Sequence, residues 1–210
     1  MREVSQFWQQ YGSEILLKLW EHLYISFSAI ILGVIVAIPL GALLTRLKKG
    51  AETLINVVGF LQTIPSLALL SLMIPIFGIG KGSAIAALFL YSLLPIVRNT
   101  YVGIQGVDPT YLDAAKGMGM SKWHRLLKVE LPLSFSVILS GVKQSAVYVI
   151  SWTTLAAYIG AGGLGDFIFN GLTLYRLDLI LMGIIPITLL ALLTDGVLRY
   201  VENRYVEGGR

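Results

Sequence analysis

Long apolar runs separated by short polar stretches dominate the chain. Five such runs cover residues 23–44, 54–77, 84–97, 133 to about 159, and about 179–198. A bilayer core about 30 Å thick needs roughly 20 apolar residues in an α-helix. The pattern therefore predicts an all-α protein with five transmembrane helices, of which the third is the shortest.

The start of the chain follows a different pattern. Trp8, Tyr11, Ile15 and Leu19 recur at steps of three and four residues. This spacing predicts an amphipathic helix over residues 1–22, with aromatic anchors suited to lying on the outer membrane surface. Residues 23–210 would then form the membrane domain.

Composition and charge agree with a membrane protein. Hydrophobic residues make up 56% of the chain, charged residues only 13%, and the net charge is +4. With the loop after the first run inside, eleven lysines and arginines fall inside, four fall outside, and Lys143 lies within a span. Basic residues concentrate in cytoplasmic loops, so the N-terminus is predicted outside and the C-terminus inside. The same placement explains the positive charge without nucleic acid.

Residue types needed for catalysis or metal binding are scarce. The chain has no cysteine, and its two histidines, His22 and His124, are predicted in different compartments. No two-histidine metal site or Ser-His-Asp arrangement can be assembled from them. We therefore expect neither catalytic residues nor a metal site.

The polar loop over residues 98–132 is longer than a connection between two spans requires. Asp108 followed by Pro109 is typical of an N-cap with proline at the first helical position. Gly117 and Gly119 would end this helix. The loop is therefore predicted to begin with a short helix that reaches Lys116.

A second short helix is predicted after the glycines. Ser121 can cap it, and Pro132 would end it before the fourth span. Trp123, Leu126 and Leu127 are predicted to share one apolar face. The basic residues of this helix, placed on its other faces, are Lys122, Arg125 and Lys128. Such a helix can dock on another protein or rest on anionic lipid, and the pattern alone favours neither.

The spacing in this loop resembles the Glu-Ala-Ala motif of binding-protein-dependent ABC importer permeases. The matching residues are Asp113-Ala114-Ala115, three residues, Gly119, nine residues, Val129, one residue and Leu131-Pro132. Asp113 replaces the motif's glutamate and Val129 its isoleucine. The resemblance implies that the loop docks on an ATPase subunit. The residues expected to form this contact are Asp113, Ala114, Ala115, Gly119, Trp123, Leu126, Leu131 and Pro132.

Three further stretches, residues 62–68, 77–80 and 91–101, are similar to permeases of glycine betaine, carnitine and choline uptake systems. Residues 160–165 are shared more broadly, including with methionine permeases, so a methionine permease is the alternative. The resemblance implies a methionine-importer-like fold and an importer of quaternary ammonium osmoprotectants. Its implied partners are ATPase subunits, an extracytoplasmic substrate-binding protein, and a second copy or a similar permease, all working within membrane lipid.

No nucleotide-binding G-x-x-x-x-G-K-[ST] sequence occurs in the chain. ATP and magnesium are therefore expected on the partner ATPase. A secondary transporter or channel that works alone, or a scaffold protein, remains the alternative from another class. The features that would indicate a secondary transporter or channel are repeated broken helices or intramembrane carboxylates, and neither is clear in the sequence. A scaffold would not need the matched loop.

Four residues within the spans are candidates for the pore or a dimer interface: Gln62, Pro65, Lys143 and Gln144. Lys143 lies about ten residues into the fourth predicted span. A lysine near the bilayer centre costs about 3 kcal/mol unless it meets water or a partner. The alternative is that this helix starts below the membrane and Lys143 extends towards the surface.

Residues 160–165 also match the G-x-G-x-x-G pattern of dinucleotide-binding proteins. Here the pattern follows a membrane span and not a strand, which disfavours nucleotide binding. We interpret it as a flexible exit loop leading to a short helix over residues 166–172. Gly162, Gly163, Gly165 and Asp166 are the candidate contacts with a substrate-binding protein.

Overall fold

The computed structural model describes residues 2–47 and 49–208, with side chains for residues 11–47 and 49–205. Its α-helices are α1 (Arg2–Leu44), α2 (Ala51–Leu61), α3 (Ser66–Phe77), α4 (Lys81–Gln105), α5 (Pro109–Gly117), α6 (Lys122–Arg125), α7 (Leu131–Leu133), α8 (Phe135–Trp152), α9 (Gly165–Thr173) and α10 (Leu177–Gly208). A π-helical turn, Leu126–Glu130, joins α6 to α7, and a 3₁₀ turn, Thr153–Ile159, follows α8.

Three helices in the described residues are long and apolar enough to cross a bilayer alone: Tyr11–Leu44 of α1, α4, and Leu177–Tyr205 of α10. Two bent pairs qualify only as combined units. These are α2 with α3, bent by 90°, and Lys122–Leu133 with Phe135–Ile159, bent by 67°. The all-α fold is confirmed, and the described chain holds three to five spans by length and composition.

The N-terminal segment is continuous with the first span. α1 extends from Arg2 to Leu44, so no break separates the predicted interfacial helix from the membrane helix. Tyr11, Ile15 and Leu19 are partly buried and pack against the protein core. The side chain of Trp8 lies outside the described residues. The placement of this end of α1 on the outer membrane surface stays a prediction.

α4 lies at the centre of the bundle and packs against α1, α3 and α8. Two glycines allow the helix backbones to approach closely. A Cβ on Gly41 of α1 would lie 2.8 Å from the Val97 carbonyl oxygen, and one on Gly141 of α8 would lie 2.7 Å from the Pro95 carbonyl oxygen. Close backbone contact through small residues is a main source of helix association in lipid.

The span at α4 is longer than the sequence indicates. Residues 98–105 were assigned to the polar loop because Arg98 and Asn99 interrupt the apolar run, yet they continue the helix. The loop prediction that began at residue 98 is therefore wrong at that end. Residues 106–134, from the end of α4 to the start of α8, are called the connecting segment below.

Candidate functional site

The first helix of the connecting segment begins as predicted. The Asp108 carboxylate accepts a hydrogen bond from the Thr110 backbone N–H at 2.8 Å, and Pro109 occupies the first helical position. This N–H holds the pKa of the Asp108 carboxyl below its usual value. The Asp108 carboxylate therefore stays ionised at neutral pH and continues to cap α5.

A glycine joint follows α5. Gly119 has φ +74°, and a Cβ added there would meet no atom within 4 Å. The glycine is therefore required by backbone conformation and not by lack of space. Ser121 caps α6 by accepting a hydrogen bond from the His124 backbone N–H at 3.3 Å. These contacts confirm the predicted pair of short helices around a glycine joint.

The second helix does not end at Pro132. It continues through the π turn and α7 to Leu133, and the 67° bend comes at Ser134. Pro132 lies just after the π turn, within the last turn of this continuous helix. The Ser134 hydroxyl donates to the Glu130 carbonyl oxygen at 2.7 Å. The prediction that Pro132 terminates the helix is therefore wrong.

The apolar side chains of this helix face in two directions. Trp123 and Leu127 are 60% and 63% exposed, whereas Leu126 is only 3% exposed and belongs to a buried cluster with Ala42 of α1 and Ile104 of α4. The predicted shared face is therefore wrong for Leu126. An amphipathic helix attached to a membrane bundle must turn one apolar row towards that bundle, and Leu126 lies in that row.

The other motif residues also divide into exposed and buried side chains. Asp113, Ala114 and Gly119 are exposed, and the Asp113 carboxylate pairs with Lys116 at 2.7 Å. Ala115 is buried, and Leu131 and Pro132 are partly buried. Tyr111 and Met118, which the sequence analysis did not select, are exposed large apolar side chains of the same segment. The exposed residues Tyr111, Met118, Trp123 and Leu127 are called the exposed apolar surface below.

A buried carboxylate links the connecting segment to the first span. The Glu130 side chain is 3% exposed and accepts from Arg125 Nε at 2.8 Å and from Arg46 Nη2. Arg46 follows the end of α1, and Arg125 lies on α6. Sequence reasoning missed this contact, although a glutamate between two apolar residues, Val129 and Leu131, signals a buried charge that needs partners.

The broken span α2–α3 is held against α4 at its bend. Gln62 Nε2 donates to the Tyr91 carbonyl oxygen at 2.9 Å, and the Tyr91 hydroxyl donates to the Ile64 carbonyl oxygen at 2.5 Å. Pro65, which is exposed, directly precedes α3. Of the two candidate pore residues here, Gln62 therefore has a structural contact that fixes the bend.

A cavity of about 610 Å³ lies between α2 and α4. Its polar and aromatic lining comprises Glu52, Asn56, Phe60, Thr63, Arg98 and Tyr101. A second cavity of about 320 Å³ shares Glu52 and Tyr101 with it and reaches Lys49. The two cavities thus lie side by side along α2, from Thr63 near the α2–α3 bend to Lys49 near the connecting segment.

At the opposite end, the glycine stretch packs tightly on α1. The Gly163 N–H donates to Glu21 Oε2 at 3.1 Å, and a Cβ on Gly162 would lie 2.3 Å from the same oxygen. A Cβ on Gly165 would lie 2.1 Å from the Thr154 carbonyl oxygen. The glycines therefore serve close packing, and Gly163 and Gly165 are buried.

Ion pairs reinforce this opposite end. Lys18 contacts Asp166 at 2.5 Å, and Lys81 contacts Glu21 at 3.0 Å. The predicted short helix after the glycines is present as α9. The loop that the sequence suggested to be flexible is thus attached to α1, and the Lys81–Glu21 pair joins the same part of α1 to α4. Its contact with a binding protein stays a prediction.

Lys143 has a partner within the chain. Its ammonium group lies 3.3 Å from Glu202 of α10, and the two side chains are about one-fifth exposed. The rings of Phe135 and Tyr205 are 4.1 Å apart nearby, which places this pair towards the connecting segment. The contact gives Lys143 a partner inside the subunit, and its place on the pore or at a dimer interface stays a prediction. Gln144 is exposed.

The sequence match decides the family. Residues 27–207 match the family described as the binding-protein-dependent transport system inner membrane component. The chain belongs to this family. It is an ABC importer permease located in the membrane, and the resemblance seen in its connecting segment is confirmed.

Relatives of the permease share most of its length. The carnitine transport permease OpuCB of Listeria monocytogenes is 55% identical over 97% of this chain and 94% of its own. The glycine betaine/carnitine/choline permease OpuCB and the choline permease OpuBB of Bacillus subtilis are 50% and 51% identical over all of this chain and 96% of theirs. The permease is thus homologous to osmoprotectant permeases.

The permease fold also matches solved structures. A chain of the MetNI methionine ABC transporter in an inward-facing conformation aligns with a TM-score of 0.84 at 20% identity, covering 91% of this chain and 95% of that one. At this identity the match shows the fold alone, and it confirms the predicted methionine-importer-like architecture.

The ion pair between Lys143 and Glu202 gives a first prediction for the permease. We expect Lys143→Met to lower the melting temperature of the solubilised protein by about 2–4 °C, since a pair that keeps some contact with solvent contributes about 1 kcal/mol. ATP-driven uptake should stay within about twofold of wild type, because the side chain is satisfied inside the subunit. Glu202→Gln is the matched control. A loss of uptake in Lys143→Met alone would instead place Lys143 on the transport path.

Proposed function

We propose that this permease and a second permease subunit, identical or similar, form the translocation path of an ATP-driven importer for a small methylated ammonium compound. The glycine betaine, carnitine and choline class is the proposed cargo. The observation that carries this proposal is 50–55% identity, over nearly the whole chain, to permeases named for these three compounds. The methionine transporter, at 20% identity, supports the fold and not the cargo.

The exposed apolar surface supports an ATPase partner. Trp123 and Leu127 present apolar area on a helix that is fixed to α1 and α4 by Leu126 and Glu130. Exposed aromatic and aliphatic anchors on a rigid element are typical of protein interfaces. ATP and magnesium would be bound by that partner, and closure of the ATPase pair would move the connecting segment and the spans attached to it.

The charge distribution supports the orientation. Lys18, Lys81 and Arg176 lie at the end of the bundle opposite the connecting segment. Basic residues at the other end are Arg46, Lys49, Lys122 and Arg125. The connecting segment is therefore proposed to be cytoplasmic. The opposite end, with Asp166 and the glycine stretch, would face the substrate-binding protein.

Reconstitution of the permease with its ATPase and binding protein in proteoliposomes tests the cargo. We expect ATP-dependent accumulation of labelled glycine betaine, carnitine or choline, and none of methionine. Liposomes without ATP, or without the ATPase subunit, provide the controls. Accumulation of methionine alone would contradict the proposed cargo, and accumulation without the ATPase would contradict the proposed partner.

A further inference from the structure

One face of α2 is polar although α2 belongs to a membrane-spanning unit. Glu52, Asn56 and Thr63 are exposed in the single subunit, and all three line the 610 Å³ cavity. Glu52 and Asn56, four residues apart, lie on one side of α2, and Thr63 lies in the turn just after its end at Leu61. A carboxylate and an amide facing lipid are strongly unfavourable. This face therefore borders water or a polar occupant.

The cavity carries two charges of opposite sign on different helices. Glu52 lies in the first turn of α2, and Arg98 lies on α4. Among the described residues, neither side chain has an ion-pair partner. Two unpaired opposite charges lining one cavity suit a ligand that itself carries both signs.

Aromatic rings complete the lining. Phe60 of α2 is largely exposed and Tyr101 of α4 is partly exposed, and both border the same space. A quaternary ammonium group has no N–H to donate, so proteins recognise it by the faces of aromatic rings and by nearby negative charge. Phe60, Tyr101 and Glu52 supply both kinds of contact.

We infer that this cavity is a transient binding site for the permeating cargo, and that it takes a small methylated ammonium zwitterion. The cationic head lies towards Glu52, Phe60 and Tyr101, and the carboxylate lies towards Arg98. The volume of about 610 Å³ falls in the usual range of small-molecule sites. A neighbouring cavity that shares Glu52 and Tyr101 reaches Lys49, so the inferred site lies towards the connecting-segment end of the bundle. This inference rests on the proposed function and adds the residues that contact the cargo.

Uptake ratios test the assignment of the two charges in the reconstituted importer. Choline has the ammonium head but no carboxylate, so Arg98 attracts glycine betaine and repels choline. We expect Arg98→Gln to raise the choline-to-glycine betaine uptake ratio about tenfold, and Glu52→Gln to lower uptake of both cargoes about tenfold. Glu14→Gln, an exposed carboxylate of α1 at the opposite end, is the matched control. An unchanged ratio in Arg98→Gln would overturn the assignment, because a general folding defect lowers both cargoes equally.

A labelling experiment tests the cavity independently of transport. The chain has no cysteine, so Asn56→Cys provides a single thiol inside the cavity. In the assembled complex, we expect a trimethylammonium methanethiosulfonate reagent to label it faster than a sulfonate reagent of similar size, and glycine betaine to slow the labelling. Adding Glu52→Gln should reduce this cationic preference about fivefold.

Equal labelling by the two reagents with and without Glu52→Gln, or a lack of protection by glycine betaine, would overturn the inferred site. If the wild-type importer accumulates neither glycine betaine nor choline while the labelling pattern is as expected, the proposed cargo is wrong and the cation-binding cavity stands. Failure of the site and failure of the proposed function are thereby distinguished.

Discussion

We expect Glu130→Ala to reduce ATP-driven uptake by at least about tenfold while the assembled importer continues to hydrolyse ATP. The substitution removes the buried carboxylate that joins Arg46 at the end of α1 to Arg125 of α6. Breaking a buried ion pair by removing one partner costs about 3–5 kcal/mol. The connecting segment would then no longer move as one body with the first span, so ATP hydrolysis and transport would separate.

The measurement is the number of cargo molecules accumulated per ATP hydrolysed in proteoliposomes. Arg46→Gln and Arg125→Gln should each shift this ratio in the same direction. Combining either of them with Glu130→Ala should change the ratio little beyond Glu130→Ala alone, because all three side chains form one network. Glu14→Ala, an exposed carboxylate on α1, is the control. A Glu130→Ala importer with wild-type cargo per ATP would show that this contact has no part in coupling.

Leu127→Ser and Trp123→Ser should each weaken binding of the ATPase subunit about 30-fold, since an interface anchor is worth about 2 kcal/mol. Both side chains belong to the exposed apolar surface, so the isolated permease should keep its melting temperature. Affinity of the solubilised permease for the purified ATPase subunit provides the measurement.

The neighbouring leucine provides the matched comparison. Leu126 is 3% exposed, so Leu126→Ser should lower the melting temperature and have its effect on binding only through the fold. Trp20→Ser, on an exposed tryptophan of α1 far from the connecting segment, should change neither quantity. Equal ATPase affinity in wild type and Trp123→Ser would show that the partner docks elsewhere.

Local chemistry allowed much of the fold to be predicted from the sequence. The apolar runs located the membrane-spanning units, because a bilayer imposes a minimum apolar length on a helix. Asp108, Ser121 and Gly119 set the ends of α5 and α6, because a cap or a positive φ depends on residues within one helical turn. The connecting segment was recognisable for the same reason.

The tertiary structure decided which side chains meet. Leu126 turns inwards while Leu127 stays exposed, and this choice depends on where α1 and α4 lie and not on the helix itself. Lys143 finds Glu202, and the glycine stretch after residue 159 finds Glu21, although neither segment signals its partner.

Arg46 and Glu130 show most clearly what the sequence alone could not predict, because the two residues lie 84 positions apart along the chain. By itself, the sequence determined the membrane-spanning character, the caps of the short helices and the spacing of the connecting segment, since these follow from the bilayer and from neighbouring residues. Only the packing of the helices decided that Glu130 joins that segment to the first span and that Glu52 and Arg98 line one cavity, since such pairings arise from contacts between distant parts of the chain.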